Sequence, residues 1–391
     1  MTVPPSPSPP SATSVRWLYR RTVDAAGTSH IVLHALNLWW IAAAAAEETI
    51  QGTAMAPAFL ALFDGHLSTT DTTWLRWRED LATSAEMRRA YSAFYGRFFA
   101  RGMLQHVKGI TNFTPLHTDQ TRVGSITVAR VEPGDIPDWI AWDPAAQVHV
   151  LGEAKGNLTG SEGQFRTGTP GCIMNGKDQF ERVSVVNSAG AQLWVDGWVA
   201  ANLWATDQRD RRPVFVAWDP LRKGLRLDGQ QAEEKAREMR GAWLASLADG
   251  FAEPALRDGG GALGPTVFVF APATAYRAPR SPQPQLGRLL PRVDEVIDEP
   301  SQEWHAGRYV PAILTRHGLR PMRGREAVAE LLRLQRRAIH EGELLWFVGL
   351  RADAASANAQ ARKPWTSDYG VVTPSGLAVF DLRKVRFGRM R

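Results

Sequence analysis

The chain has 391 residues, too many for one small domain, and suggests two or three folding units. With 44% apolar and 22% charged residues, it has the composition of a globular protein, not of a disordered or fibrous chain. A net charge of +6 and a pI near 9.6 favour a polyanionic partner, and the single cysteine, Cys172, excludes an intrachain disulfide and a multi-cysteine metal centre. A reducing cytoplasm suits that cysteine usage.

Residues 1–13 are rich in Pro and Ser and have neither a basic start nor an apolar core, so a disordered tail is expected, not a secretory signal. Residues 14–82 read as an N-terminal helical region. Within it, "IVLHALNLWWIAAAAA" (31–46) is sixteen residues long and broken by His34 and Asn37. That falls short of the roughly 20 apolar residues of a membrane span. A buried helix is expected, with His30 and His34 one turn apart on it, and no membrane partner.

A core follows at 83–272. Met87, Tyr91, Phe94, Phe98 and Leu104 recur near helical period, and Thr83 with Glu86 would form a capping box at the start of that helix. From about residue 121 the pattern turns to strands. "GSITVARV", "IPDWIAW" and "QVHVLGEAK" are separated by the turns "EPGD" and "DPAA". A Gly/Thr-rich loop over 156–171 leads to a helix in "NGKDQFERVSVVNS". Strands follow in "AQLWVDGWVAANLWA" and "PVFVAWD", then the charged helix "QQAEEKAREMRGAWLASLADG" and the strand "GPTVFVFAPA". This order predicts an α/β fold with a mixed central sheet flanked by helices.

Residues 273–292 read as a Pro-rich linker, and 293–391 as a C-terminal α+β accessory domain. Its last nine residues, "RKVRFGRMR", carry five basic side chains. They read as a solvated terminus, with a phosphate-contacting arm as the alternative.

The chemistry concentrates in "PDWIAWDPAAQVHVLGEAKG" (137–156). With "DPAA" as the loop, Trp142 opposes Gln147 and Asp138 opposes Leu151. Strand parity then puts Asp138, Glu153 and Lys155 on one face, with Asp138 diagonal to Glu153 at roughly 7 Å between backbones. By the same parity His149 shares that face, as a strand surface residue or at the mouth of the site. Two carboxylates so close repel unless a hard divalent cation sits between them. Mg²⁺, or Mn²⁺ in its place, would polarise a phosphate and activate water, and Lys155 would steady the developing charge.

Pro137-Asp138 followed after fourteen residues by Glu153-Ala154-Lys155 resembles the PD-(D/E)xK nuclease superfamily, whose fold is restriction-endonuclease-like. The resemblance covers about a third of the chain. It implies Asp138, Glu153 and the Ala154 carbonyl as metal ligands and Lys155 as the catalytic lysine. Gln179 is implied as a polar residue on the following helix, with Lys177 and Arg182 as phosphate contacts. Many members carry a further acid on the first core helix, where this chain offers Arg97 and Arg101. Arg97 is therefore assigned to nucleic-acid binding, and Glu47, Glu48 and Glu86 stay open as extra ligands. A second E-x-K, Glu233-Glu234-Lys235, lies in the charged helix without a paired strand. There is no P-loop and no nucleophile elbow. The expectation is a metal-dependent DNA endonuclease acting in restriction or antiviral defence, cytoplasmic, and by resemblance a homodimer. The alternatives are a repair or recombination nuclease, or a non-catalytic nucleic-acid-binding protein.

Overall fold

The computed structural model describes residues 14–23, 27–37, 39–52, 74, 76–78, 84–206, 211–219, 229–251, 267–272, 296–297, 304–315, 318–322, 327–341, 345–353, 365–367 and 370–390. The expected tail at 1–13 and linker at 273–292 lie outside these residues. The chain divides into two compact units. One is built from Ser14–Ala44 and Gly65–Ser246, the other from Ala45–Asp64 and Leu247–Arg391. Among the described residues, no helix is long and apolar enough to cross a membrane.

The first correction comes at the start. Residues 14–37 are not helical but form a hairpin of β1 (Ser14–Val23) and β2 (Thr28–Asn37). The run read as one buried helix is half strand. Helix α1 (Trp39–Gly52) begins only where β-branched and polar residues give way to "WWIAAAAA". Alanine favours helix and β-branched residues favour strand, but an unbroken apolar run conceals the join. His30 and His34 both lie on β2, so their spacing is not a helical turn.

Helix α2 (Ala85–Met103) is as expected, but Ser84 caps it. The Ser84 hydroxyl accepts the Met87 N–H at 3.1 Å. Glu86 does not complete a capping box. It lies exposed, 3.6 Å from Arg89. After a π-helical turn at Leu104–Lys108 come β3 (Thr111–Pro115), β4 (Gln120–Val123), β5 (Ile126–Arg130), β6 (Trp139–Asp143) and β7 (Val148–Asn157). Helices α3 (Glu162–Thr167) and α4 (Gly171–Glu181) follow. Next are β8 (Val183–Val186), β9 (Val195–Leu203), β10 (Val214–Asp219) and α5 (Gly229–Phe251).

The central sheet has seven strands in the order β2-β1-β10-β9-β7-β6-β3. It is mixed: β7 with β9 and β1 with β10 run parallel, the other pairs antiparallel. The α3–α4 segment is the long crossover that a parallel β7–β9 pair requires. Two strand assignments move. "GSITVARV" does form a strand, β5, but it joins β4 and β8 in a separate three-stranded sheet. The meander partner of β6 is β3, from a stretch with no clean alternation. The segment read as one helix over "NGKDQFERVSVVNS" turns into β8 at Val183.

Helices cover both faces. On one side α2 packs on β7 and β9, where Phe99 meets Trp17 and Trp204. On the other, α3 and α4 bury Phe165 and Ile173 against Val199, Val214 and Val216. The small sheet and α5 cover the β6–β7 end through Val128, Val185, Trp142, Leu151 and Met239.

The second unit carries a nine-stranded sheet of β11 (Val267–Pro272), β12 (Val296–Ile297), β13 (Trp304–Thr315), β14 (Gly318–Pro321), β15 (Trp346–Arg351), β16 (Trp365–Ser367), β17 (Gly370–Val372), β18 (Leu377–Asp381) and β19 (Arg386–Met390). Helix α6 (Ala327–Glu341) buries Leu331, Leu334 and Ala338 against it. Within the basic C-terminal stretch, Arg386–Met390 is not a free end but forms β19, paired with β11 and β12.

Candidate active site

The β6–β7 turn decides where the acids fall. Asp143 is the last residue of β6 and pairs with Val148, so the loop is 144–147, not "DPAA". The Asp143 carboxylate accepts the N–H groups of Ala145 and Ala146, both at 2.9 Å. Gln147 closes the turn at φ 55°. Asp143 is thus both strand end and turn cap, as Asp side chains favour. The register sets Trp139 against Gly152 and Trp142 against His149, two residues from the expected pairing. A shift of two conserves parity. Asp138, one residue before β6, therefore faces Glu153 directly instead of diagonally, which brings the acids closer than expected.

Hydrogen bonds tie the pair. The Asp138 N–H donates to Glu153 Oε2 at 3.1 Å, and the Ala154 N–H donates to Asp138 Oδ2 at 2.8 Å. A strand residue turns its N–H and C=O to the same edge. The Ala154 carbonyl therefore faces the edge where Asp138 stands. Arg97 Nη1 from α2 forms an ion pair with Asp138 Oδ1, and its guanidinium lies 4.6 Å from the Trp139 ring centre. Lys155 Nζ pairs with Glu153 Oε1.

Close backbone contacts hold these elements in place. A Cβ on Gly156 would stand 1.9 Å from the Ser92 carbonyl oxygen, and one on Gly96 2.7 Å from Gly156 N. Only glycine allows α2 to cross β7 so closely, and that crossing brings Arg97 to Asp138. Gly176 does the same for α4. A Cβ there would meet Val199 at 2.6 Å and Glu153 Cγ at 3.3 Å. Gln179, one turn later, thereby reaches the cleft. It is buried, and its Oε1 accepts no hydrogen bond.

Glu153 is 3% exposed, and its pKa is pushed up to about 8. Burial is the main cause and the Asp138 charge adds to it, while Lys155 and the Asp138 N–H pull the other way. A buried carboxyl beside a second one, within reach of a lysine, is the electrostatic setting in which a cation would replace a proton.

These groups line a cleft of about 1080 Å³. Its basic residues are Arg78, Arg88, Arg89, Arg97, Arg130 and Lys155; its acids are Asp135, Asp138 and Glu153. Cations surround a small acidic centre. Asp138, Glu153, Ala154, Lys155, Gln179 and Arg97, each expected from sequence, meet here. Lys177 and Arg182 do not line it. Lys177 Nζ lies 4.7 Å from the Trp218 ring centre, and Arg182 donates to the Asp135 carbonyl at 3.1 Å. His149 is fully buried against Trp142, not at the mouth, and desolvation lowers its pKa to about 4. Of the three open acids, Glu86 is exposed and lies outside the cleft lining, while Glu47 and Glu48 belong to the other unit, in which Glu47 accepts a hydrogen bond from Ser375 at 3.2 Å. Among the described residues, no group of three His, Cys, Asp or Glu side chains converges on one point.

Sequence reading missed Arg88, Arg89, Arg130 and Asp135. On α2, Arg89 and Arg97 carried a usable signal, since side chains at i, i+4 and i+8 lie on one side of a helix.

In comparison with known proteins, no family model, no curated protein and no solved structure matches the chain. Fold and site together define an α/β protein with a seven-stranded mixed sheet and a basic cleft centred on two opposed carboxylates.

Proposed function

We propose that the protein is a divalent-metal-dependent nuclease with a restriction-endonuclease-like core. The observation that carries this reading is the opposition of Asp138 and Glu153 across β6–β7, with Lys155 on the Glu153 side and cations around them.

The donor set suits Mg²⁺ or Mn²⁺: two carboxylates and the Ala154 carbonyl are hard oxygen ligands, with room left for water and phosphate oxygens. A bound metal would supply Lewis-acid activation of water and of the scissile phosphate. The remaining work falls to side chains. Asp138 and Glu153 would hold the cation beside β7. Lys155, which pairs with Glu153, would hold charge on the phosphate. Gln179 offers its free acceptor to the attacking water. Arg97 stands on α2, the helix on which many members of the resembled superfamily carry an acid, and would supply a cation to the phosphate.

DNA is the favoured substrate, with restriction or antiviral defence as the setting. A homodimer belongs to the same reading, by resemblance. Mg²⁺ or Mn²⁺ should support cleavage of plasmid or oligonucleotide DNA by the wild-type chain, and EDTA should abolish it. Asp138→Ala, Glu153→Ala and Lys155→Ala should each lower the rate by about 10²–10⁴-fold. Intact DNA in every wild-type reaction would favour the non-catalytic nucleic-acid-binding alternative.

A further inference from the structure

The cleft wall formed by α2 has a second chemical character. Phe94 is 42% exposed, although phenylalanine is normally an inside residue. It lines the cleft together with Tyr91, three residues earlier on the same face. Tyr91 leans on the buried Tyr95 ring, centres 6.4 Å apart, which holds its own ring steady. Around these rings stand Arg88, Arg89 and Arg97 from the same helix. The Arg89 side chain is 79% exposed. Aromatic faces alternating with guanidinium groups suit a ligand that alternates flat rings with phosphates.

Two features narrow that ligand. At about 1080 Å³ the cleft stands at the upper end of the roughly 300–1,000 Å³ of small-molecule pockets, with room for a stretch of extended chain. Glu153, at the floor, is 3% exposed, so a phosphate must enter deeply to meet it. A duplex presents its phosphates outward and keeps its base faces stacked on one another, leaving no base face for Phe94 and Tyr91 to stack on. An unpaired strand can splay its bases onto those rings and thread its backbone down to the acids.

We propose that the substrate enters as a single-stranded polynucleotide, with bases stacked on Phe94 and Tyr91 and phosphates led inward by Arg88, Arg89 and Arg97. This rests on the nuclease reading of the same cleft and adds the class of strand it accepts.

The test is binding without metal. Anisotropy of labelled single-stranded DNA, single-stranded RNA and duplex DNA of one sequence is measured in EDTA with the full chain. The proposal expects a single strand to bind on the order of 10-fold more tightly than the duplex. Either sugar satisfies it, and the tighter strand identifies the source. Phe94→Ala and Tyr91→Ala should each weaken single-strand binding on the order of 10-fold without changing its salt dependence, and Phe94→Trp should retain it. Arg89→Ala should instead reduce the salt slope by about 1. Phe94 is exposed, so its truncation should leave the melting temperature unchanged. Duplex binding as tight as single-strand binding overturns the proposal, as does a folded Phe94→Ala variant with wild-type affinity. Cleavage plays no part in this readout. A protein that binds single strands through Phe94 but never cuts them contradicts the nuclease reading alone.

Discussion

Asp138 and Glu153 were legible in the sequence because parity along a strand survives an error of two residues. The loop was misplaced, since Asp143 looks like the first residue of a turn and in fact ends a strand while capping the turn with its carboxylate. A slip of one residue would have separated the acids; a slip of two drew them together. What no single sequence could give is the partner each acid finds. Arg97 is 41 positions from Asp138, and the close crossing of α2 over β7 brings them together. The burial of Glu153 leads to a prediction at this scale. Its folded-state pKa is raised above the unfolded value, so the folded chain holds a proton that the unfolded chain releases. That contribution to stability is present below the ordinary carboxylate range and is lost as pH rises through about 8. Glu153→Gln removes the titration. The melting temperature of the variant minus that of wild type should increase from pH 5 to pH 9, at about 2–4 °C per kcal/mol of linkage. A difference that is flat or falls with pH would show that Glu153 is not held in a raised state.

Elements with strong periodicity or clear turns were legible: α2, α5, α6, β6, β7, β9 and β10 lie where the pattern puts them. Others failed for physical reasons. The apolar run 31–46 has no polar punctuation strong enough to mark the change from β2 to α1. The helix at Gly171–Glu181 runs into β8 with only Arg182 between them. Strand β3 carries an irregular register against β6 between Thr111 and Thr114, and Asn112 sits at φ 56°, so no clean alternation advertises it. Glycines set the distances between elements. Gly156→Ala places a methyl group 1.9 Å from a backbone oxygen that no side-chain rotation can move. It should cost about 3 kcal/mol or more, or prevent folding. Gly163→Ala, in α3 with nothing within 4 Å of the added Cβ, should stabilise by roughly 0.5–1 kcal/mol. Denaturation midpoints of the two variants check both. A tolerated Gly156→Ala would mean that α2 does not cross β7 at this point.

At the scale of the molecule, composition foresaw a large globular chain of more than one unit, and it has two. The boundary was placed too late. The Pro-rich stretch at 273–292 suggested a break there, but β11, before it in sequence, pairs with β13 and β19 of the C-terminal sheet. The N-terminal hairpin, expected as a separate helical region, adds two strands to the sheet that bears the cleft. Sheet pairings between residues some two hundred positions apart leave no local trace, so this part of the architecture could not be read along the chain. The cleft itself draws on α2, β7 and α4, three elements whose existence was legible and whose meeting was not.

The central claim is that Asp138 and Glu153 share one divalent cation beside β7. Anomalous diffraction from crystals of the full chain soaked in Mn²⁺ tests it most directly. The account predicts a peak between the two carboxylates, in contact with the Ala154 carbonyl at about 2.0–2.2 Å, as small hard cations adopt, and absent from Glu153→Gln crystals. Manganese bound elsewhere, or a peak unchanged in that variant, would contradict it.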